Sequence, residues 1–208
     1  MMLEILADNG TGRAFVVLFE SGAYAAAARA LFEALAGKTR ALLCQSATVS
    51  DNNWQALSVS LESALAAAGI RQSSFISFGP ASSLVQNLCL RDIKQVRGAV
   101  FIDASGRPHP TRTSRIIDAI ESKLPIGLPF RSRLPGFDGR SFLQRIRCPV
   151  LVISSSRASS YQKEQAHMIS RALPTSWYLE LKSGEEALLT DKILEFAQLP
   201  AKRPMKNI

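Results

Sequence analysis

The side chains able to do chemistry lie around one turn and just beyond the following strand. Asp103 and His109 are close enough in the chain for the carboxylate to orient the imidazole as a general base. Ser82 and Ser83 follow the turn Phe78-Gly79-Pro80-Ala81 and open a helical segment, so either hydroxyl could attack an acyl group. The favoured interpretation is that they satisfy free N–H groups at the helix start, and the alternative is that they help to hold an anion there.

Residue sets for metal or phosphate chemistry are not seen in the sequence. The second histidine, His167, falls within a helical segment, where a packing or surface role is favoured. The cysteines, Cys44, Cys89 and Cys148, lie in or beside apolar segments and lack the short paired spacing of zinc sites. We therefore predict reduced core thiols, no bound metal and no cofactor.

Apolar strand-like segments alternate with amphipathic helical ones along the chain. Asn9-Gly10, between the first two strands, is typical of a tight hairpin. The pattern predicts an α/β fold: a mostly parallel central sheet with helices on both faces, preceded by an N-terminal antiparallel hairpin. The predicted strands are 3–7, 14–19, 41–44, 74–78, 98–103, 150–153 and 176–181, and the predicted helices are 24–36, 51–68, 80–94, 161–173 and 192–198.

The length of 208 residues suits one domain, 1–208. A proline-rich stretch, about 104–141, interrupts the alternation and is interpreted as a short lid insertion with one helix over about 113–124. The basic end, 200–208, is expected to be flexible. With no long apolar run and no secretory signal, the sequence predicts a cytoplasmic protein without a membrane span.

The net charge of +8 is concentrated in the insertion and the tail, where residues 107–147 hold nine basic residues against three acids. The simplest interpretation is a solvated basic surface, and the functional one is a surface that attracts an anionic small molecule or an acidic protein. The lack of a nucleic-acid motif and the scarcity of aromatic residues for base stacking argue against nucleic acid. We expect Arg107, Arg131 and Arg133 to contribute to binding, and a homodimer is left open.

The order of elements resembles the α/β-hydrolase superfamily over nearly the whole chain. The resemblance is carried by SFGPASS at the turn, by the strand AVFIDASG, and by the final segment that runs from RIRCPVLVISSS to DKILEF. In that family the turn is a nucleophile elbow, G-x-S-x-G, and the triad follows in the order Ser, Asp or Glu, His.

The resemblance places residues unsuited to catalysis at all three triad positions. The nucleophile position holds Gly79, the loop expected to supply the acid holds Arg157, and the histidine position holds Glu186. We expect Arg157 to form an ion pair with Glu185 or Glu186. The chain is therefore interpreted as a degenerate member that lacks the Ser-Asp-His triad.

The oxyanion hole implied by the resemblance is altered as well. One donor in the family is the N–H of the residue after the nucleophile, but Pro80 has none. The other comes from the loop here written Phe19-Glu20-Ser21-Gly22, where Glu20 brings negative charge and Ser21 is a candidate for binding.

Two functions follow from these residues. The first is a catalytically inactive binding or scaffolding protein for an anionic ligand or an acidic partner, which would use Ser21, Ser82, Ser83 and the basic insertion. The alternative is a small esterase or thioesterase that uses His109, Asp103 and Ser82 in a non-standard arrangement.

Overall fold

A computed structural model describes residues 3–20, 22, 24–47, 54–91, 94–104 and 139–198, with side chains except at 54, 55, 139–141, 161 and 186. The strands are β1 (Leu3–Asn9), β2 (Ala14–Glu20), β3 (Arg40–Ser46), β4 (Ser73–Phe78), β5 (Val96–Ile102), β6 (Val150–Ser154) and β7 (Ser176–Glu180). The α-helices are α1 (Ala25–Ala36), α2 (Trp54–Ala67), α3 (Ser82–Arg91), α4 (Ser160–Ala172) and α5 (Leu189–Gln198). Short 3-10 helices cover Gly79–Ala81, Gly139–Arg145 and Glu186–Leu188.

The seven strands form one sheet in the order β1-β3-β2-β4-β5-β6-β7, with every neighbouring pair parallel except β1 and β3. The predicted mostly parallel sheet is thereby confirmed. Residues at the carboxyl ends of β2, β4, β5 and β6 consequently meet at one edge, which is where ligands bind in open α/β sheets.

The strand partner predicted for β1 is wrong. The antiparallel pair exists, but β1 lies beside β3 and not beside β2, so β1 and β2 form no hairpin. Both sides of β2 are taken by parallel strands, because its apolar run is buried on both faces and suits the sheet centre. Gly10 instead allows the backbone to pass close to Thr39, since a Cβ on residue 10 would lie 2.0 Å from the carbonyl oxygen of Thr39.

Alternate residues of β2 point into two separate apolar layers. Val16 and Leu18 pack with the helices α2, α3 and α4, whereas Phe15, Val17 and Phe19 pack with α1 and α5. The predicted cover of helices on both faces is confirmed. This double burial fixes the register of the central strands, because a slip by one residue would exchange the two layers.

The insertion predicted over 104–141 and the tail 200–208 lie almost entirely outside the described residues, as does the helix predicted over 113–124. At the edges of the insertion, Ala104 is buried and a 3-10 helix begins at Gly139. Within the described part of the chain, no helix is both long and apolar enough to cross a membrane.

The pair Asp8 and Arg40 ties the edge strand β1 to β3 and should make stability depend on pH. Two hydrogen bonds, of 3.0 and 2.7 Å, run from the guanidinium to the carboxylate. The hydrogen bond from Arg40 holds the pKa of Asp8 below its ordinary value, although partial burial opposes this. A carboxyl with a depressed folded pKa stabilises the protein above its unfolded pKa, and loses that contribution as the pH falls through the folded value.

We expect Asp8→Asn to unfold at lower urea concentration than the native chain at about pH 6, and the difference to vanish at about pH 2. The effect will be small because both side chains are about one-third exposed. A difference in urea midpoint that stays the same at both pH values would contradict the assignment.

Candidate functional site

The turn after β4 has the backbone geometry of a nucleophile elbow. Phe78 is extended, with φ −107° and ψ 132°, and Gly79 then turns into the left-handed region at φ +54°. A 3-10 turn carries the chain directly into α3. Glycine adopts this conformation without strain because it has no Cβ.

The aromatic ring of Tyr24 occupies the space that a side chain at the elbow would need. A Cβ built on Gly79 would lie 2.4 Å from Cε2 and 3.0 Å from Cζ of Tyr24. The ring is held in place because its centroid lies 5.9 Å from that of Phe78, and because Gln162 Nε2 donates a 2.9 Å hydrogen bond to its hydroxyl. Sequence reasoning missed this residue, which it treated only as a helix start.

Burial raises the pKa of Tyr24, and the negative charge of Asp103 raises it further, while the hydrogen bond from Gln162 acts in the opposite direction. The side chain therefore remains a neutral phenol at neutral pH. Its hydroxyl accepts from Gln162 and has its own proton left to donate, with no acceptor among the side chains that the structure describes.

Pro80, at the position where the resemblance implies one oxyanion donor, has no backbone N–H. The backbone N–H of Ser82 is directed back to the carbonyls of Gly79 and Pro80. It is thus committed to the helix start. The resemblance implies a second oxyanion donor in the segment that follows β2. There Glu20 ends the strand and Gly22 has φ +104°, whereas Ser21 lies outside the described residues.

Asp103 lies at the carboxyl end of β5 and connects it to the loop after β6. One carboxylate oxygen accepts from the backbone N–H of Ser155 and the other from the Ser155 hydroxyl, both at 2.7 Å. Asp103 is 5 % exposed and has a left-handed backbone at φ +51°. His109, its predicted imidazole partner, lies outside the described residues, so that pair stays a prediction.

The ion pair expected between Arg157 and Glu185 does not form. Glu185 instead accepts a 2.9 Å hydrogen bond from the backbone N–H of Lys182, because the tight turn brings its carboxylate back onto its own loop. The side chain of Glu186, the other expected partner, is not among those that the structure describes. Arg157 is exposed, and no described carboxylate lies within ion-pair distance of it.

The serines after the elbow are engaged locally. Ser82 is fully buried, and its hydroxyl accepts a 3.0 Å hydrogen bond from the hydroxyl of Ser77. The hydroxyl of Ser83 donates to the carbonyl of Pro80 at 2.8 Å. The structure therefore places both at the start of α3. The remaining predicted binding residues, Arg107, Arg131 and Arg133, are outside the described part of the chain.

The second histidine packs against a neighbouring aromatic ring, and the thiols are buried. His167 stacks on Tyr178, with ring centroids 4.0 Å apart, on the exposed side of α4. The three cysteines are buried and form no disulfide. Among the described residues no three histidine, cysteine or carboxylate side chains are grouped so as to hold a metal ion.

A cavity of about 760 Å³ opens at the sheet edge beside the elbow. It extends between α1 and the start of α5, and its volume is typical of small-molecule sites. Most of the polar lining comes from the loops after β5 and β6 and from α4, and most of the apolar lining comes from α1, the strand ends and the start of α5. The lining residues are Tyr24, Ala26, Ala27, Ala30, Leu31, Ala34, Phe78, Ile102, Asp103, Ser155, Ser156, Arg157, Gln162, Leu181, Ala187, Leu189 and Thr190.

No family model matches the sequence, and no curated protein matches it significantly. Several solved structures match the fold along almost all of both chains. The enol-lactonase from Burkholderia xenovorans has a TM-score of 0.67 at 15% identity, covering 93% of this chain and 95% of its own. An alpha/beta hydrolase from Sphaerobacter thermophilus has a TM-score of 0.65 at 14% identity, with 93% and 95% covered.

A meta-cleavage product hydrolase from Pseudomonas fluorescens has a TM-score of 0.69 at 12% identity, with 93% of each chain covered. At such low identities the likeness concerns the path of the backbone and not the chemistry of the site. Together with the strand order, the left-handed residue after β4 and the helices on both faces, it shows that this chain has the α/β-hydrolase fold.

Proposed function

We propose that the protein is a non-hydrolytic member of this fold, which binds an anionic ligand or an acidic partner at the carboxyl edge of its sheet. The observation that carries the proposal is the ring of Tyr24 against Gly79. A missing nucleophile alone could be replaced by a neighbouring group, but here the space above the elbow is filled by an aromatic side chain that two other residues hold.

The surroundings of the elbow support the same proposal. Pro80 offers no oxyanion donor, and the loss of one such donor in an enzyme costs about 3 kcal/mol of transition-state stabilisation. The buried hydroxyl of Ser82 faces Ser77 and not a base. Asp103, the carboxylate at the end of β5, has both oxygens bound by Ser155.

The retained scaffold supports binding in place of catalysis. The elbow backbone, the sheet edge and a cavity of small-molecule size are all present although the reactive side chain is not. Arg157 introduces a positive charge at the rim, where the fold family places an acid. We extend the proposal to the basic residues Arg107, Arg131 and Arg133, whose charges favour a negatively charged partner.

Activity-based labelling tests the proposal directly. The purified chain, treated with a fluorophosphonate probe and with short aryl esters and thioesters, should show no labelled serine and no turnover above the uncatalysed rate. An active serine esterase of the same fold, treated in parallel, checks the reagents. Labelling of any serine, Ser82 and Ser83 included, would disprove the proposal and favour the non-standard esterase.

A further inference from the structure

The cavity beside the elbow has a polar end and an apolar end. Four alanines, Ala26, Ala27, Ala30 and Ala34, face it along one side of α1 and are exposed although they are apolar. Ala30 lies near the middle of this row. Because a helix rises 1.5 Å per residue, the row is about 12 Å long, close to the extended length of an alkyl chain of about ten carbons.

The opposite wall of this apolar end is also made of aliphatic side chains. Leu31 lies on α1 itself, while Ala187 contributes from the 3-10 helix before α5 and Leu189 from the first residue of α5. Alanine side chains leave a broad groove because they end at Cβ. An alkyl chain lying there would be removed from water along most of its length, and each buried methylene contributes about 0.8 kcal/mol.

The polar end carries a positive charge and a neutral donor. Arg157 lines the cavity and has no carboxylate partner among the described side chains. The Tyr24 hydroxyl, fixed by Gln162, keeps a proton to donate. Asp103 also lines this end, and each of its oxygens accepts a hydrogen bond from Ser155, which holds the carboxylate against the loop after β6. A ligand carboxylate fits this combination, because a guanidinium and a phenol O–H are both donors.

We propose that the cavity binds an unbranched aliphatic monocarboxylate of about ten carbons, with its carboxylate at Arg157 and Tyr24 and its chain along the alanine row of α1. The inference rests on the proposed non-hydrolytic function and specifies the ligand class of that same site. It requires no covalent step, since the carboxylate is bound and released unchanged.

Calorimetric titration with sodium decanoate, below its micellar concentration, tests the inference. Decanoate should bind saturably, and both acetate, which lacks the tail, and decyltrimethylammonium, which lacks the negative charge, should bind at least about tenfold more weakly. Absence of saturable binding, or equal binding of the cationic amphiphile, would overturn it.

Matched variants locate the site. Arg157→Gln should weaken decanoate binding about tenfold, whereas Arg171→Gln, an exposed arginine on α4 outside the cavity, should not. Ala30→Phe should block the groove, and Ala66→Phe, on the exposed side of α2, should leave binding unchanged. Thermal melts establish that each variant is folded. Equal binding by Arg157→Gln or Ala30→Phe and the native chain would overturn the assignment.

The inference and the proposed function fail in different ways. If decanoate does not bind while the fluorophosphonate probe stays inert, only the ligand class is wrong. If an aryl decanoate ester is hydrolysed and a serine is labelled, the non-hydrolytic function itself is wrong.

Discussion

Replacement of Gly79 by serine, the residue that the α/β-hydrolase resemblance implies at this turn, is expected to destabilise the protein by about 3 kcal/mol. Two causes add. A residue with a side chain costs about 1–2 kcal/mol in the left-handed region, and the new Cβ would overlap the ring of Tyr24 at 2.4 Å. The ring must then move, which breaks its hydrogen bond with Gln162. Urea denaturation of Gly79→Ser and the native chain measures the cost.

A double-mutant cycle separates the two causes. In a Tyr24→Ala background the overlap is gone, so Gly79→Ser should cost only about 1–2 kcal/mol. Gly69→Ser is the matched control, because Gly69 has φ +69° and no atom within 4 Å of a Cβ built there. Its cost should equal that of Gly79→Ser in the Tyr24→Ala background. An equal cost of Gly79→Ser in both backgrounds would show that Tyr24 does not fill the elbow.

Asp103→Ala is expected to lower the free energy of unfolding by about 3 kcal/mol, because a buried carboxylate that accepts two hydrogen bonds is lost. The carboxylate joins the end of β5 to the backbone and hydroxyl of Ser155, so its removal leaves a part-buried N–H without an acceptor. Asp103→Asn should cost about 1 kcal/mol, since asparagine tolerates the left-handed backbone and keeps one acceptor oxygen.

Two further variants control for this result. Ser155→Ala removes one of the two hydrogen bonds and should cost about 1 kcal/mol. Asp191→Ala removes an exposed carboxylate whose only described ion pair, with Lys38, is largely in solvent, and should change stability by less than about 1 kcal/mol. If Asp103→Ala proves no more costly than Asp191→Ala, the connection between β5 and the loop after β6 carries no stability.

Most of the fold follows from local patterns that a single sequence displays. The run 14–19 is apolar on both faces and therefore lies in the sheet centre. The helices α1 and α4 begin and end within one or two residues of their predicted bounds. Gly79 followed by Pro80 predicted the turn correctly, because glycine suits a left-handed backbone and proline suits a helix start. Such preferences act over a few residues and can be read from the chain.

Tertiary structure decided the strand pairing and the contents of the site. The turn-forming sequence Asn9-Gly10 favours a hairpin locally. However, β2 has the parallel strands β3 and β4 on its two sides, so β1 pairs with β3 instead. The contact of Tyr24 with Gly79 joins residues far apart in the chain, and no periodicity marks such a pair. The sequence by itself thus determined a glycine-proline turn after β4, and only the packing of α1 against the sheet edge decided that an aromatic ring lies against that glycine.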